Sequence, residues 1–193
     1  RKIAHLAFNS RADDDLSPTD EQNASFTIST DRARLGEIIA VNAAAVRILG
    51  SSTLLGSNIN TIIPRPISDV HDSFLAKFVQ TGTSKFLDST RLMVAQHSAG
   101  HLFPVRFRIF ETPPSAEDMR PKLTGLIAPV TTDDGFFIIG DESFDFTILS
   151  VCLKSASILQ RPVDALSDRG VPAAIVFPEL FGSAGQGGVV DAP

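Results

Sequence analysis

Tryptophan and tyrosine are absent from this 193-residue chain, and cysteine occurs once, as Cys152. A single cysteine excludes an internal disulfide framework and any multi-cysteine zinc site, and it fits a reducing compartment, so the cytosolic side is expected. No apolar run approaches the ~20 residues needed to cross a bilayer, and no secretory leader pattern is present. Lys and Arg are scattered rather than banded and the net charge is -5, which argues against nucleic acid as a partner. A nucleophile elbow, an H-E-x-x-H helix, a Walker loop and a kinase motif set are all missing, and pairs such as Asp133-Asp134 sit in loop-like sequence, so no enzyme is expected. The tail Gly182-Ser-Ala-Gly-Gln-Gly-Gly lacks a following Lys-Ser/Thr and reads as a flexible linker rather than a phosphate loop.

What is present is a normal globular composition, 43% hydrophobic and 20% charged, with 14 phenylalanines supplying aromatic packing without a polar handle. Residues 1–24 carry Asp13, Asp14 and Asp15 with little periodicity and read as an extension or linker, in which Ile3, Leu6 and Phe8 fit a short amphipathic helix. The chain begins at Arg1 rather than methionine, which leaves room for a longer, membrane-bound parent.

Ser25-Phe-Thr-Ile-Ser alternates as a strand, Asp31–Leu35 supplies a turn, and Gly36–Val41 reads as its hairpin partner. Asn42 caps a short helix stopped at Gly50, and a further turn or helix spans Ser52–Ile63. The clearest helix starts at Asp69 as N-cap and ends near Gly82, with Val70, Phe74, Leu75 and Phe78 as its apolar stripe. His71 precedes Phe74, Leu75 and Phe78 by three, four and seven residues, which places its imidazole on that face. Strands are expected at Lys85–Ala95, Leu102–Phe110 and Leu123–Val130, and Pro104 within the second implies an edge or a bulge. The order predicts an α+β domain, a five-stranded antiparallel sheet with one face covered by short helices.

These residues resemble the PAS family. Gly36-Glu-Ile-Ile-Ala-Val-Asn-Ala-Ala-Ala-Val-Arg-Ile-Leu-Gly50 is similar to its second-strand and first-helix signature, and Leu55-Gly-Ser-Asn-Ile-Asn-Thr-Ile-Ile-Pro64 to the segment that follows. Gly100-His-Leu-Phe-Pro-Val-Arg-Phe-Arg108 resembles its late turn and strand, with Ala99 where an aspartate is usual. The likeness covers about residues 25–130. Pro64–Gly82 with Asp88-Ser-Thr-Arg91 is similar to the haem-PAS domains of FixL-type oxygen sensors, and Leu87-Asp-Ser-Thr-Arg-Leu92 to PAS domains of tiny-macrocysts-type membrane proteins. The first likeness implies haem with His71 as proximal iron ligand, Arg91 as distal arginine, Lys77 and Lys85 near propionates, and Phe86, Phe107 and Ile109 lining the pocket. Against it, Phe74 and Phe78 stand where those domains have tyrosines, and bulky Phe86 and Phe107 are able to fill the cavity themselves.

Flavin is not expected, because the adduct-forming helix cysteine is missing. His97 and His101 flank a tight turn without a third metal ligand, and Cys152 reads as buried and inert. An internal repeat aligns Ile38, Val41, Ala45, Ile48 and Leu49 with Ile148, Val151, Ser155, Ile158 and Leu159 at a constant offset, with Phe136–Ile139 as the repeat's first strand. The expected organisation is therefore an extension at 1–24, a PAS domain at 25–130, a partial second PAS-like unit at 136–181 and a flexible tail at 182–193. Two functions remain open: a cofactor-free sensory module that forms a homodimer or docks a neighbouring domain, and a haem-based gas or redox sensor.

Overall fold

A computed structural model describes residues 16–84, 86–113, 120–133, 135, 137–140, 147–167 and 171–176. The chain divides into two units, residues 1–133 and 134–193. The expected amphipathic helix of the extension, Lys85, Phe136 and the tail lie outside the described residues.

In the first unit the strands are β1 (Ala24–Ile28), β2 (Ile38–Val41), β3 (Arg91–Gln96), β4 (Leu102–Thr112) and β5 (Lys122–Pro129), of which β1 and β4 alternate apolar and polar residues while β2, β3 and β5 carry continuous apolar runs. They form one antiparallel sheet in the order β2-β1-β5-β4-β3. Between β2 and β3 lie α1 (Ala43–Leu49), a 3-10 turn at Ile59–Ile62 and α2 (Ser68–Thr81). The core joins Phe26, Ile28 and Ile127 of the sheet to Leu49, Leu75 and Phe78 of the helices. The architecture is the five-stranded sheet with a helix-covered face that the sequence pattern implies.

Asn42 ties the start of α1 to the sheet. Its Oδ1 accepts from Ala45 N–H at 2.8 Å and Ser25 N–H at 3.0 Å, while its Nδ2 donates to Asn23 O at 2.8 Å. At the other end of α1, Gly50 has φ +70°, and a methyl added there would lie 2.1 Å from His97 Nε2. That approach lets the β3–β4 turn dock on the helix: Ser98 N–H donates to Leu49 O at 2.9 Å and Ser98 Oγ to Gly50 O at 2.5 Å.

Several expectations need correction. Leu16 is 2% exposed and packs with Leu126, Ala128 and Phe110 on the outer sheet face, so the domain begins before residue 25. The strand expected from Lys85 starts only at Arg91. Within the preceding segment, Leu87 makes an isolated bridge to Ile109 and Asp88 adopts φ +54°, which breaks the extended run. Pro104 lies on an internal strand. Its carbonyl accepts from Val130 N–H at 2.9 Å, just past the last β4–β5 pair, Val105 with Pro129, so the missing N–H falls where that ladder ends. The N-cap of α2 is Ile67, without a side-chain cap, and Asp69 instead pairs with Arg65 at 3.2 Å.

In the second unit, β6 (Phe137–Ile139) and β7 (Ile148–Val151) form an antiparallel pair, followed by α3 (Leu153–Ile158), α4 (Val163–Ser167) and α5 (Ala173–Val176). Val151, Ala156 and Leu166 form its small core. The Cys152 side chain is buried, and its Sγ accepts from Ser155 N–H at 3.4 Å as the cap of α3. Among the described residues of the chain, no helix is long and apolar enough to cross a membrane.

The inner sheet face is tight at Gly125, where a methyl would lie 2.5 Å from Phe26 Cζ and 3.3 Å from Phe107 Cε2. We expect Gly125→Ala to cost about 1–3 kcal/mol in urea unfolding by overpacking, with part of the loss recovered in Gly125→Ala/Phe26→Leu. Additive losses in the double variant would contradict a direct clash with the Phe26 ring.

Candidate functional site

The residues singled out for ligand binding converge on α2 and the inner face of β3 and β4, but not as one cluster. On α2, Leu75 and Phe78 are buried, whereas Val70 is 42% and Phe74 55% exposed. The inward face therefore runs through His71, Leu75 and Phe78, at spacings of four and three, and the expected stripe through Val70 and Phe74 points to solvent. The sequence merged the two into one stripe, because Val70–Phe74 and His71–Leu75 both stand at helical spacing from Phe78.

His71 is half-buried, and its Nδ1 is buried without a hydrogen-bond partner. Burial lowers its pKa from 6.5, and the neighbouring Asp72 carboxylate opposes that shift in part. The Asp72 side chain is itself engaged, accepting from Asn60 Nδ2 at 2.9 Å. The imidazole is thus held neutral, the state a metal ligand or a core histidine requires. A metal-bound histidine ordinarily donates its second ring nitrogen to a fixed acceptor, and Nδ1 of His71 has none.

Arg91 is in register with Phe107 across β3 and β4, on the helix-facing side of the sheet. Its guanidinium carbon lies 4.7 Å from the centroid of the Phe86 ring, and its Nε donates to Ser89 Oγ at 3.1 Å. Lys77 is exposed, and Phe86 is 48% exposed. Phe86 therefore serves as a platform for Arg91 at the surface and does not line the interior, contrary to the role the resemblance implied. Phe107 and Ile109 do face inward, and both pack against the same continuous core as Phe26, Leu75 and Phe78.

This packing bears on whether haem fits. The porphyrin would have to lie between α2 and the sheet, where Leu75 and Phe78 are buried and Phe107 and Ile109, both partly buried, pack against them. In this arrangement the residues present do not fit the group: the side chains expected to line a haem pocket fill the space themselves.

A feature that sequence reading undervalued is the β3–β4 turn. His97 and His101 stack with ring centroids 4.4 Å apart, and His97 Nδ1 accepts from Ala99 N–H at 3.1 Å. Both are partly buried. Burial, then the proximity of His97, lowers the His101 pKa from 6.5. Among the described residues, no group of three or more His, Cys, Asp or Glu side chains is placed to hold a metal.

The first unit has the PAS fold, with its helices inserted between the second and third strands of the five-stranded sheet. No protein-family model matches it. It is similar to the sensor protein FixL of Bradyrhizobium diazoefficiens, 29% identical over 98 residues, or 50% of this chain and 19% of FixL. The chain spans less than a fifth of the length of the curated relatives it matches. Among solved structures it is similar to the PAS domain of an HTR-like protein from Haloarcula marismortui, with TM-score 0.43 and 16% identity over 57% of this chain and 84% of that one. A PAS domain from Desulfitobacterium hafniense gives TM-score 0.44 and 17% identity over 56% and 93%.

The two depressed histidines set a pH response. Below pH 6.5 the unfolded chain takes up protons that folded His71 and His101 resist, so stability falls as pH falls through that value toward the folded pKa values. Urea midpoints measured from pH 7.5 to 5 should decline, and His71→Leu should flatten the decline. An unchanged pH slope in His71→Leu would show that His71 is not held neutral by burial.

Proposed function

We propose that this PAS-fold chain is a cofactor-free sensory module, acting in signal transduction through protein contacts within a larger signalling protein rather than through catalysis. The observation that carries the reading is the filled interior: Phe26, Phe107, Ile109, Leu75 and Phe78 form one continuous core between helix and sheet. A domain whose interior is occupied by its own side chains communicates through its surface. On that surface, Val70 and Phe74, four apart on α2, are large exposed apolar residues, the kind of patch that marks a contact site. The partner we favour is a second copy of the domain or a neighbouring domain of the parent protein, on the cytosolic side.

A second reading, a haem-based gas or redox sensor with His71 as proximal ligand, draws on the buried, unpartnered Nδ1 and neutral imidazole of His71. The likeness to FixL, a sensor protein by name, supports a sensory role under either reading. Expression with a haem precursor separates them. The cofactor-free module gives a folded, colourless protein, and Phe74→Asp shifts its self-association in sedimentation velocity without lowering its melting temperature. A Soret band at one haem per chain, lost in His71→Ala, would replace the first reading with the second. A small ligand taken up at the surface remains compatible with the first reading.

A further inference from the structure

The turn between β3 and β4 holds the end of α1 through contacts that require uncharged histidines. His97 opens the turn, and its Nδ1 accepts from the N–H of Ala99, two residues on, at 3.1 Å. An asparagine oxygen makes the same contact at the head of such a turn. The contact needs a bare nitrogen, so the ring proton of neutral His97 is on Nε2. His101 closes the turn: its carbonyl accepts from His97 N–H at 2.9 Å, and Gly100 N–H donates to His97 O at 2.8 Å. The two imidazoles stack with centroids 4.4 Å apart and planes 22° from parallel, and the Phe103 ring lies edge-on to His97 at 6.4 Å.

The stacked pair positions Ser98 on the helix. His97 comes so close to Gly50 that a methyl there would lie 2.1 Å from its Nε2. Ser98, the next residue, reaches both terminal carbonyls of α1, Leu49 through its N–H and Gly50 through its hydroxyl. Asn42 holds the other end of the helix independently, through Ala45, Ser25 and Asn23. The seven residues of α1 are thus fastened at both ends, and only the fastening at Leu49 and Gly50 contains titratable groups.

Protonation works against this arrangement in two ways. A proton on Nδ1 of His97 converts an acceptor into a donor facing the Ala99 N–H, which removes the hydrogen bond and opposes two donors. A second proton on His101 places like charges in stacked, partly buried rings, where water screens them incompletely. His101 already resists charging, first because of burial and then because of His97. Among the described residues, the charged groups on the neighbouring elements are Arg47 on α1, Arg91 at the far end of β3, Arg106, Arg108 and Glu111 on β4, Lys122 at the far end of β5 and Asp133 beyond it, while residues 51–63 carry none. None of these is among the causes of the His101 shift. Because the seated turn holds His101 below its ordinary 6.5, the seated form is fully favoured above that value, and acid moves the balance toward a released turn with hydrated imidazoles.

We propose that the β3–β4 turn is an acid-released latch: protonation of the stacked His97–His101 pair frees Ser98 from Leu49 and Gly50, while Asn42 keeps the start of α1 on the sheet. The latch gives the module an acid input at its surface, and it does not depend on whether the interior holds a ligand.

Amide exchange in the full chain, read residue by residue by NMR and expressed as protection so that the ordinary pH dependence of exchange cancels, tests the latch. Between pH 7.5 and pH 5 the protection of Ser98 N–H should fall at least tenfold further than that of Ala45 N–H, which Asn42 holds. His97→Asn sets an oxygen where Nδ1 stands and takes up no proton in this range, so it should keep Ser98 protected at pH 5. His101→Phe keeps a stacked ring without the second charge and should reduce the fall to a few-fold. Equal falls at Ser98 and Ala45 in the wild type would overturn the proposal, since they mark general loosening in acid, and so would no fall at all. The wild-type fall retained in His97→Asn would overturn it as well. Should His97→Asn melt early at pH 7.5, His101→Phe decides, and an undiminished fall there counts against the latch.

Discussion

The first unit depends on one steric constraint, the seating of the Phe26 ring over Gly125 with Phe107 beside it. A strand residue without a Cβ lets an aromatic ring lie close to the sheet, and that ring then occupies volume which a side chain would otherwise take. Phe107 and Ile109 from β4 and Leu75 and Phe78 from α2 close on the same centre. Between helix and sheet these side chains form one hydrophobic core. Each half of the core depends on the other, since the helix has no apolar floor without the phenylalanines and the phenylalanines have no roof without the helix.

Polar contacts at the ends of α1 hold this sandwich in register. Asn42 links β1, the residues before it and the helix start, and the β3–β4 turn grips the helix end through Leu49 and Gly50. The sheet is thereby fastened to one helix from its β1 side and from its β3 side. At the surface, Asp31 caps the 3-10 turn at Arg32–Arg34 and pairs with Arg120, and its pKa is lowered first by the Ala33 N–H it accepts. These contacts orient the elements, while apolar burial supplies the greater part of the stabilisation.

Much of this was legible in the sequence. Period-two alternation located β1 and β4, β2 followed as the hairpin partner of β1 and β5 as an apolar run, Asn42 and Gly50 marked the ends of α1, and the repeat between Ile38–Leu49 and Ile148–Leu159 foreshadowed the matching hairpins. The phase of α2 was not legible, because Val70, Phe74 and Phe78 form as regular a stripe as His71, Leu75 and Phe78, and only packing against the sheet selects one. The segment before β3 misled for a similar reason: Phe86 and Leu87 have strand-like composition, but the positive φ of Asp88 turns the chain. As for the site, an inward His71 followed from spacing, whereas the surface setting of Phe86 and Lys77 did not, since pocket roles taken from resemblance carry no information on how fully a core is packed.

The central claim, that the interior is filled rather than poised for a ligand, is tested most directly by truncating Phe107, the residue that either lines a pocket or packs a core. Phe107→Ala should cost about 3 kcal/mol in urea unfolding with an unchanged m-value, the penalty of a cavity left in a packed interior. A loss below about 1 kcal/mol would contradict the account, because it would mean that Phe107 faces an open chamber and that the space between α2 and the sheet is available to a cofactor.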